Sequence, residues 1–93
     1  MLVVLSQIVY CNGIEDFDHY TSIQKTYDCS IIPRIGESVY NYVWDEDVET
    51  KVADVHYDYD NNKCYIFLEK RNSILDKETF VGVARSHGWE IKF

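Results

Sequence analysis

Residues 53–70, ADVHYDYDNNKCYIFLEK, consist of two runs of alternating side chains on either side of Asn61 and Asn62. Asparagine tolerates a positive φ, which both central residues of a type I′ turn require. The segment therefore predicts a β-hairpin whose two-residue turn is Asn61-Asn62. In this register the opposed residues are Asp60 and Lys63, Tyr59 and Cys64, Tyr57 and Ile66, Val55 and Leu68, Asp54 and Glu69, and Ala53 and Lys70.

The side chains of this hairpin divide between two faces, because successive residues of a strand point to opposite sides of a sheet. The face predicted to pack on the core carries Ala53, Val55, Tyr57, Tyr59, Cys64, Ile66 and Leu68. The opposite face, which we name the outer face, carries Asp54, His56, Asp58, Tyr65, Phe67 and Glu69. Two aromatic side chains among acids indicate either cover by another element, most obviously the C-terminal helix, or a contact surface for a partner.

Further strand patterns precede this hairpin. Residues 2–11 are apolar on both faces over their first half, which predicts a central or covered strand. Alternation predicts strands over residues 19–32, 38–44 and 48–59, and the last is long enough to need a bulge near residues 51–53. Pro33 and Gly36 interrupt the pattern between the second and third strands.

After residue 72 the apolar period changes from 2 to 3.6, which predicts a helix over about residues 75–87. The apolar stripe of this helix consists of Leu75, Thr79, Phe80, Val83 and Ala84. Ser73 or Asp76 can cap its start, and Gly88 ends it. Residues 89–93 then alternate as a short final strand.

Length and composition favour one small domain spanning residues 1–93. The chain is 46% hydrophobic and 15% aromatic, which is not typical of disorder, and its length supports a single core. Eight tyrosines and one methionine favour strands over a helical bundle. We therefore predict an α+β, mostly β fold: a strongly bent antiparallel sheet or small SH3-like barrel of about five strands, with one C-terminal helix and a short final strand.

The three cysteines, Cys11, Cys29 and Cys64, are odd in number and lack C-x-x-C spacing, which favours buried, reduced thiols over a disulfide framework. The opening MLVVLSQIVY has no basic n-region and no small-residue cleavage site, so it is not typical of a secretory signal. It is also too short to span a membrane as a helix. We expect a cytoplasmic protein with no membrane partner.

Charge is distributed unevenly along a chain whose formal net charge is −7. Residues 1–69 carry 13 acidic and four basic side chains, whereas residues 70–93 carry three acidic and five basic ones. Such a surface repels phosphates, so we expect no direct binding of DNA or RNA. It attracts basic protein surfaces instead, unless the acidity serves only solubility.

The acidic and aromatic side chains nominate a partner-binding surface. It comprises an acidic hairpin tip and the outer face, namely Trp44, Asp45, Glu46, Asp47, Asp54, His56, Asp58, Tyr65, Phe67 and Glu69. Opposed carboxylates at Asp54 and Glu69 would repel each other and need relief from a cation, a lysine or solvent.

Metal and catalytic chemistry have little support in the sequence. Asp58, Asp60, Asn62 and Glu69 match part of a calcium loop, but Lys63 occupies the position where that loop needs glycine. Zinc would need the cysteines to converge with a histidine, and alternation scatters them. No nucleophile motif, phosphate loop or dinucleotide fingerprint is present. We expect no enzyme, no metal and no cofactor.

Three motifs carry a resemblance to a known group: IPRIGESV at residues 32–39, VHYDYD at residues 55–60 and SHGW at residues 86–89. Over most of residues 20–90 the chain resembles short uncharacterised acidic proteins of gut Bacteroidetes and of their phages and mobile elements. The resemblance implies a small barrel-like β domain with a helix near its C-terminus. It carries no activity across, but some small acidic phage proteins inhibit host defence systems.

Two functions follow as hypotheses. The first is a non-enzymatic acidic protein-binding module, such as a phage- or mobile-element-encoded inhibitor, whose acids mimic phosphates toward a basic protein surface. The alternative is a homo-oligomer that binds a small ligand or nucleotide in a pocket between subunits. A planar ligand would stack on Tyr40, Tyr42, Trp44, Tyr65 and Phe67, and an anionic one would also need Arg34, Lys70 or Arg71.

Overall fold

The structure, a computed structural model, describes residues 1–12, 20–41 and 48–92, with backbone alone at residues 40, 41, 48 and 49. Its elements in chain order are β1 (Leu2–Tyr10), β2 (Tyr20–Asp28), β3 (Ser38–Asn41), β4 (Val48–Asp58), β5 (Lys63–Leu68), β6 (Arg71–Asn72), α1 (Lys77–Ser86) and β7 (Glu90–Ile91). Among these described residues no helix is long and apolar enough to cross a membrane.

The seven strands form one strongly curled, half-barrel sheet in the order β3-β4-β5-β1-β2-β7, with β6 also paired to β1. The mostly β class, with one C-terminal helix and a short final strand, is confirmed. The sheet is mixed rather than antiparallel throughout, because β1 runs antiparallel to β2 but parallel to β5 and β6. Alternation reports which face of a strand is buried and not which strand lies beside it, so this pairing has no local signal.

β1 is the central strand, as its apolar first half predicts. β2 and β5 flank it on its two edges, and its consecutive residues Val3, Val4 and Leu5 are all buried although they alternate between the two faces of the sheet. The main core lies on the inner face of the sheet, where Leu5, Ile23 and Ile66 pack with Phe80, Ala84 and Trp89 from the C-terminal part of the chain.

Helix α1 begins and ends at residues that the sequence nominates. Asp76 is the N-cap, and its carboxylate oxygen Oδ1 accepts a hydrogen bond from the Thr79 backbone N–H at 2.7 Å. The chain leaves the helix at His87 and turns at Gly88, whose φ of 87° suits glycine. Phe80 and Ala84 lie on the buried side of the helix, which presses them against the inner face.

The β4–β5 hairpin is present, but its predicted register is wrong by two residues. Asp58 is opposite Lys63, and the loop is the four-residue segment 59–62. Within this loop only Asn62 has a positive φ, at 53°. A two-residue type I′ turn requires a positive φ at both of its central residues, so the turn is of another type. The Asp58 carboxylate accepts hydrogen bonds from the Asn61 N–H and from Asn61 Nδ2, which stabilises this longer loop.

A shift of two residues leaves every side chain beyond the loop on its predicted face, since strand side chains alternate with a period of two. Val55 is opposite Ile66 on the inner face, and His56 is opposite Tyr65 on the outer face. The predicted bulge is confirmed between Val52 and Asp54. It places Val52 rather than Ala53 in the core.

All three cysteines are free. Cys11 and Cys64 are buried, as predicted, and Cys29 is half-buried. Burial raises the pKa of the Cys11 and Cys64 thiols, because the thiolate is poorly solvated inside the core. Neither thiol is therefore a ready nucleophile at neutral pH.

Candidate functional site

The outer face of the β4–β5 hairpin holds the candidate site. The parallel pairing of β5 with β1 continues this face toward the centre of the sheet, since Val4 is the neighbour of Tyr65 and Ser6 the neighbour of Phe67. Val4 and Ser6 are buried there, whereas the Phe67 side is more open, with 38% of that residue exposed. The outer face therefore combines an exposed aromatic residue, Phe67, with the charged and polar side chains of β4, next to the buried Val4 and Ser6 of β1.

Asp54, His56 and Phe67 form one contact group. Nε2 of His56 donates a hydrogen bond to Oδ2 of Asp54 at 2.7 Å. The His56 ring also meets the Phe67 ring edge-on, with centroids 5.1 Å apart and planes at 68°. Phe67 is opposite Asp54 across the strands, so the three side chains hold one another in place on the surface.

The Asp54 carboxylate is held in its charged form. Its hydrogen bond from His56 is the main cause that lowers the Asp54 pKa, and a second hydrogen bond from the Val55 N–H, 2.9 Å long, adds to it. Because both donors favour the carboxylate over the carboxylic acid, the outer face keeps this negative charge to lower pH than an isolated aspartate would.

The two ends of the outer face carry Asp58 and Glu69. Hydrogen bonds from Asn61 lower the pKa of Asp58, and Lys63 lies opposite it. The predicted opposition of Asp54 and Glu69 is wrong, because in the observed register Phe67 takes that place. The repulsion that the sequence predicted between two facing carboxylates is therefore absent at Asp54, and His56 partners it instead.

The C-terminal helix does not cover Tyr65 and Phe67, so that interpretation of the two aromatics is wrong. The helix residues Phe80 and Ala84 belong to the same core cluster as Cys64 and Ile66, which lie on the inner face. Tyr65 and Phe67 alternate with Cys64 and Ile66 along β5 and therefore point away from the helix.

The structure thus brings Asp54, His56, Tyr65 and Phe67 together and leaves Asp58 and Glu69 at the ends of the same face. The predicted acidic tip, consisting of Trp44, Asp45, Glu46 and Asp47, lies outside the described residues, as do Tyr42 and the side chain of Tyr40. Within the described ranges, no group of three or more His, Cys, Asp or Glu side chains is placed to hold a metal ion.

One feature is missed by the sequence interpretation. A groove of about 410 Å³ lies beside β4 and is lined by Ile32, Pro33, Arg34, Ile35, Val55 and Tyr57. Tyr57 points to the inner side as predicted, yet it is 50% exposed because it extends past the core into this groove. The sequence signal available was the pair of isoleucines on either side of Pro33 and Arg34, Ile32 and Ile35, which are apolar residues in an interrupted segment. Arg34 lies at this groove, so β4 separates it from Tyr65 and Phe67. Of the three basic residues proposed for an anionic ligand, Arg34 is therefore not beside these two aromatics.

Comparison of the chain with protein-family models, with curated proteins and with solved structures finds no match.

Proposed function

We infer that this chain is a non-enzymatic protein-binding module that uses the outer face of its β4–β5 hairpin. The observation that carries this proposal is the exposed Phe67 ring, held edge-on by His56 on a sheet face that α1 does not cover. Aromatic residues on a rigid element, surrounded by polar groups, are typical of the energetic centre of protein interfaces. Phe67 is therefore the anchor of the proposed contact.

Charge on the same face supports a basic partner. Asp54 is a carboxylate with a lowered pKa, next to the anchor, and Asp58 is a second one at the turn. A lysine or arginine of the partner can accordingly meet a fixed negative charge beside an apolar contact. Such charge complementarity speeds association and selects the partner more than it deepens affinity.

We propose further that the partner is a host defence protein that normally contacts nucleic acid. This chain would then be a cytoplasmic inhibitor encoded by a phage or mobile element. This proposal is supported by the resemblance described above and by the acidic excess before residue 70. In this form the acids among residues 44–47 add to the negative charge that attracts the partner.

The experiment is capture of partners from a lysate of the host, with wild-type protein compared against Phe67→Ser and Tyr27→Ser. Tyr27 is the matched control, because it is 41% exposed but lies on β2, paired with Val3 of the inner face. We expect wild type and Tyr27→Ser to retain the same basic protein and Phe67→Ser to lose it.

Salt supplies the second measurement. Raising the salt from about 0.1 M to 1 M shortens the Debye length from about 10 Å to about 3 Å, which weakens exposed charge pairs. We expect capture to fall across this range. No retained protein at low salt, or equal loss with both variants, would contradict the proposal.

A further inference from the structure

The edge of β4 is open beyond the bulge. β3 and the turn before it cover β4 as far as Val52, whose C=O accepts from the Gly36 N–H and whose N–H donates to the Glu37 C=O, both at 2.9 Å. The chain turns away at Gly36, whose φ is 86°, and residues 32–35 then lie toward the inner side of the sheet. Within the described residues, the edge of β4 that faces away from β5 therefore has no neighbouring strand after Val52.

The backbone of this open edge points at least one donor outward. The Val55 N–H, which faces away from β5, donates to Oδ1 of its neighbour Asp54 at 2.9 Å, so the carbonyl of an added strand would replace that carboxylate oxygen. Backbone groups of an antiparallel strand alternate between its two edges, which places the N–H and C=O of Tyr57 on the same open edge. An exposed strand edge of this kind is a template for a further strand.

The groove lies directly beneath the same edge. Its walls are the side chains of Val55 and Tyr57 from β4 and those of Ile32, Pro33 and Ile35 from the crossing segment. Ile35 is 64% exposed, so the apolar lining is accessible from solvent. A strand added to β4 would place alternate side chains into this groove.

The remaining side chains of an added strand would lie on the outer side of the sheet, next to the Asp54 and Asp58 carboxylates. Arg34 at the groove disfavours a basic residue in the inner row, whereas these two carboxylates favour one in the outer row. Alternate positions of an added strand are therefore expected to carry apolar side chains toward the groove and basic side chains toward the outer face.

We propose that the open edge of β4 binds an extended segment of a partner protein as an added strand, with apolar side chains in the groove and basic side chains beside Asp54 and Asp58. This inference rests on the proposed function in taking the partner to be a protein, and it names the segment that the partner contributes. A second copy of the chain pairing through its own β4 edge is disfavoured, because its Asp54 and Asp58 would face carboxylates of the same charge.

The test uses a fluorescent nine-residue peptide of alternating lysine and valine, titrated against the purified full chain by fluorescence anisotropy. Two control peptides have the same charge: one with lysines and valines in blocks, and one alternating but methylated on its valine backbone nitrogens. The first control removes the alternation, and the second removes the donors needed for strand pairing. We expect the alternating peptide to bind about tenfold or more tightly than either control.

Two variants locate the binding. Ile35→Asp places a charge in the groove, and Ile74→Asp is the matched control, since Ile74 is a 93% exposed isoleucine after β6. Both variants add one negative charge, so general attraction for a basic peptide rises equally in the two. We expect Ile35→Asp to weaken binding of the alternating peptide about tenfold and Ile74→Asp to leave it unchanged.

Equal binding of all three peptides, or equal affinity of both variants, would overturn this inference. So would a dimer, measured by light scattering, that dissociates in Ile35→Asp, because the edge would then belong to a second copy. If these tests fail while Phe67→Ser still loses the captured partner, the proposed function stands and only the added strand is excluded.

Discussion

Two phenylalanines on opposite faces of the sheet provide the most informative stability comparison. Phe80 is completely buried between α1 and the inner face, whereas Phe67 is 38% exposed on the outer face. Truncating a buried phenylalanine to alanine costs about 3–5 kcal/mol, because transfer energy is lost and a cavity remains. A domain of 93 residues has a total stability of about 5–14 kcal/mol, so Phe80→Ala removes a large part of it.

Phe67→Ala should cost much less. Burying a whole phenylalanine side chain is worth about 1.5–3 kcal/mol, and only the covered part of Phe67 contributes, which gives about 1–2 kcal/mol. No closed cavity forms, since the site opens to solvent.

The assay is urea unfolding followed by circular dichroism and tyrosine fluorescence, with the unfolding free energy extrapolated to water. We expect Phe80→Ala to lose at least twice as much stability as Phe67→Ala, and to lower Tm by about 12 °C or more. Equal losses, or a larger loss for Phe67→Ala, would refute the placement of α1 on the inner face.

Three further predictions concern single groups. The Asp54 carboxyl should titrate, by side-chain NMR, with a pKa below the ordinary aspartate value, and His56→Ala should raise it. Because the Asp54 pKa is lower in the folded protein than in the unfolded chain, its stabilisation is complete at pH values above the unfolded-state pKa. It disappears as the pH falls through the folded-state pKa. An unchanged Asp54 pKa in His56→Ala would contradict the pairing. Asp76→Ala should cost about 1 kcal/mol of unfolding free energy through loss of the N-cap, with Asp76→Asn retaining most of it. A thiol reagent at neutral pH should modify half-buried Cys29 first, and Cys11 and Cys64 only as the protein opens, which peptide mass spectrometry distinguishes.

The hairpin illustrates how far local pattern determines structure. Alternation along β4 and β5 correctly predicts which side chains share a face, because burial of one side is its direct cause. The turn is predicted wrongly because Asn61-Asn62 suits both a two-residue and a four-residue loop. The difference lies in the Asp58 carboxylate, which bonds Asn61 across the longer loop, and composition alone does not weigh that contact.

Long-range arrangement explains the remaining differences. The apolar stripe of α1 predicts that Phe80 is buried, but not which face of the sheet receives it, since both faces of β5 carry large apolar side chains. Pro33 and Gly36 lie between two strands as predicted, but β2 already ends at Asp28 and not at residue 32. The interrupted segment then packs beside Val55 and Tyr57 to form a groove. This packing depends on contacts between residues at least 20 positions apart, for which no short pattern exists.

Hydroxyl-radical footprinting of the free protein and of its complex with the captured partner tests the central claim most directly. In the free protein, His56 and Phe67 should be oxidised readily and Phe80 should be protected, because the first two are exposed and the third is buried. In the complex, protection of His56 and Phe67 with no change at Tyr27 is the predicted result. Unchanged oxidation of Phe67 in a saturated complex would contradict the assignment of the outer face as the binding surface.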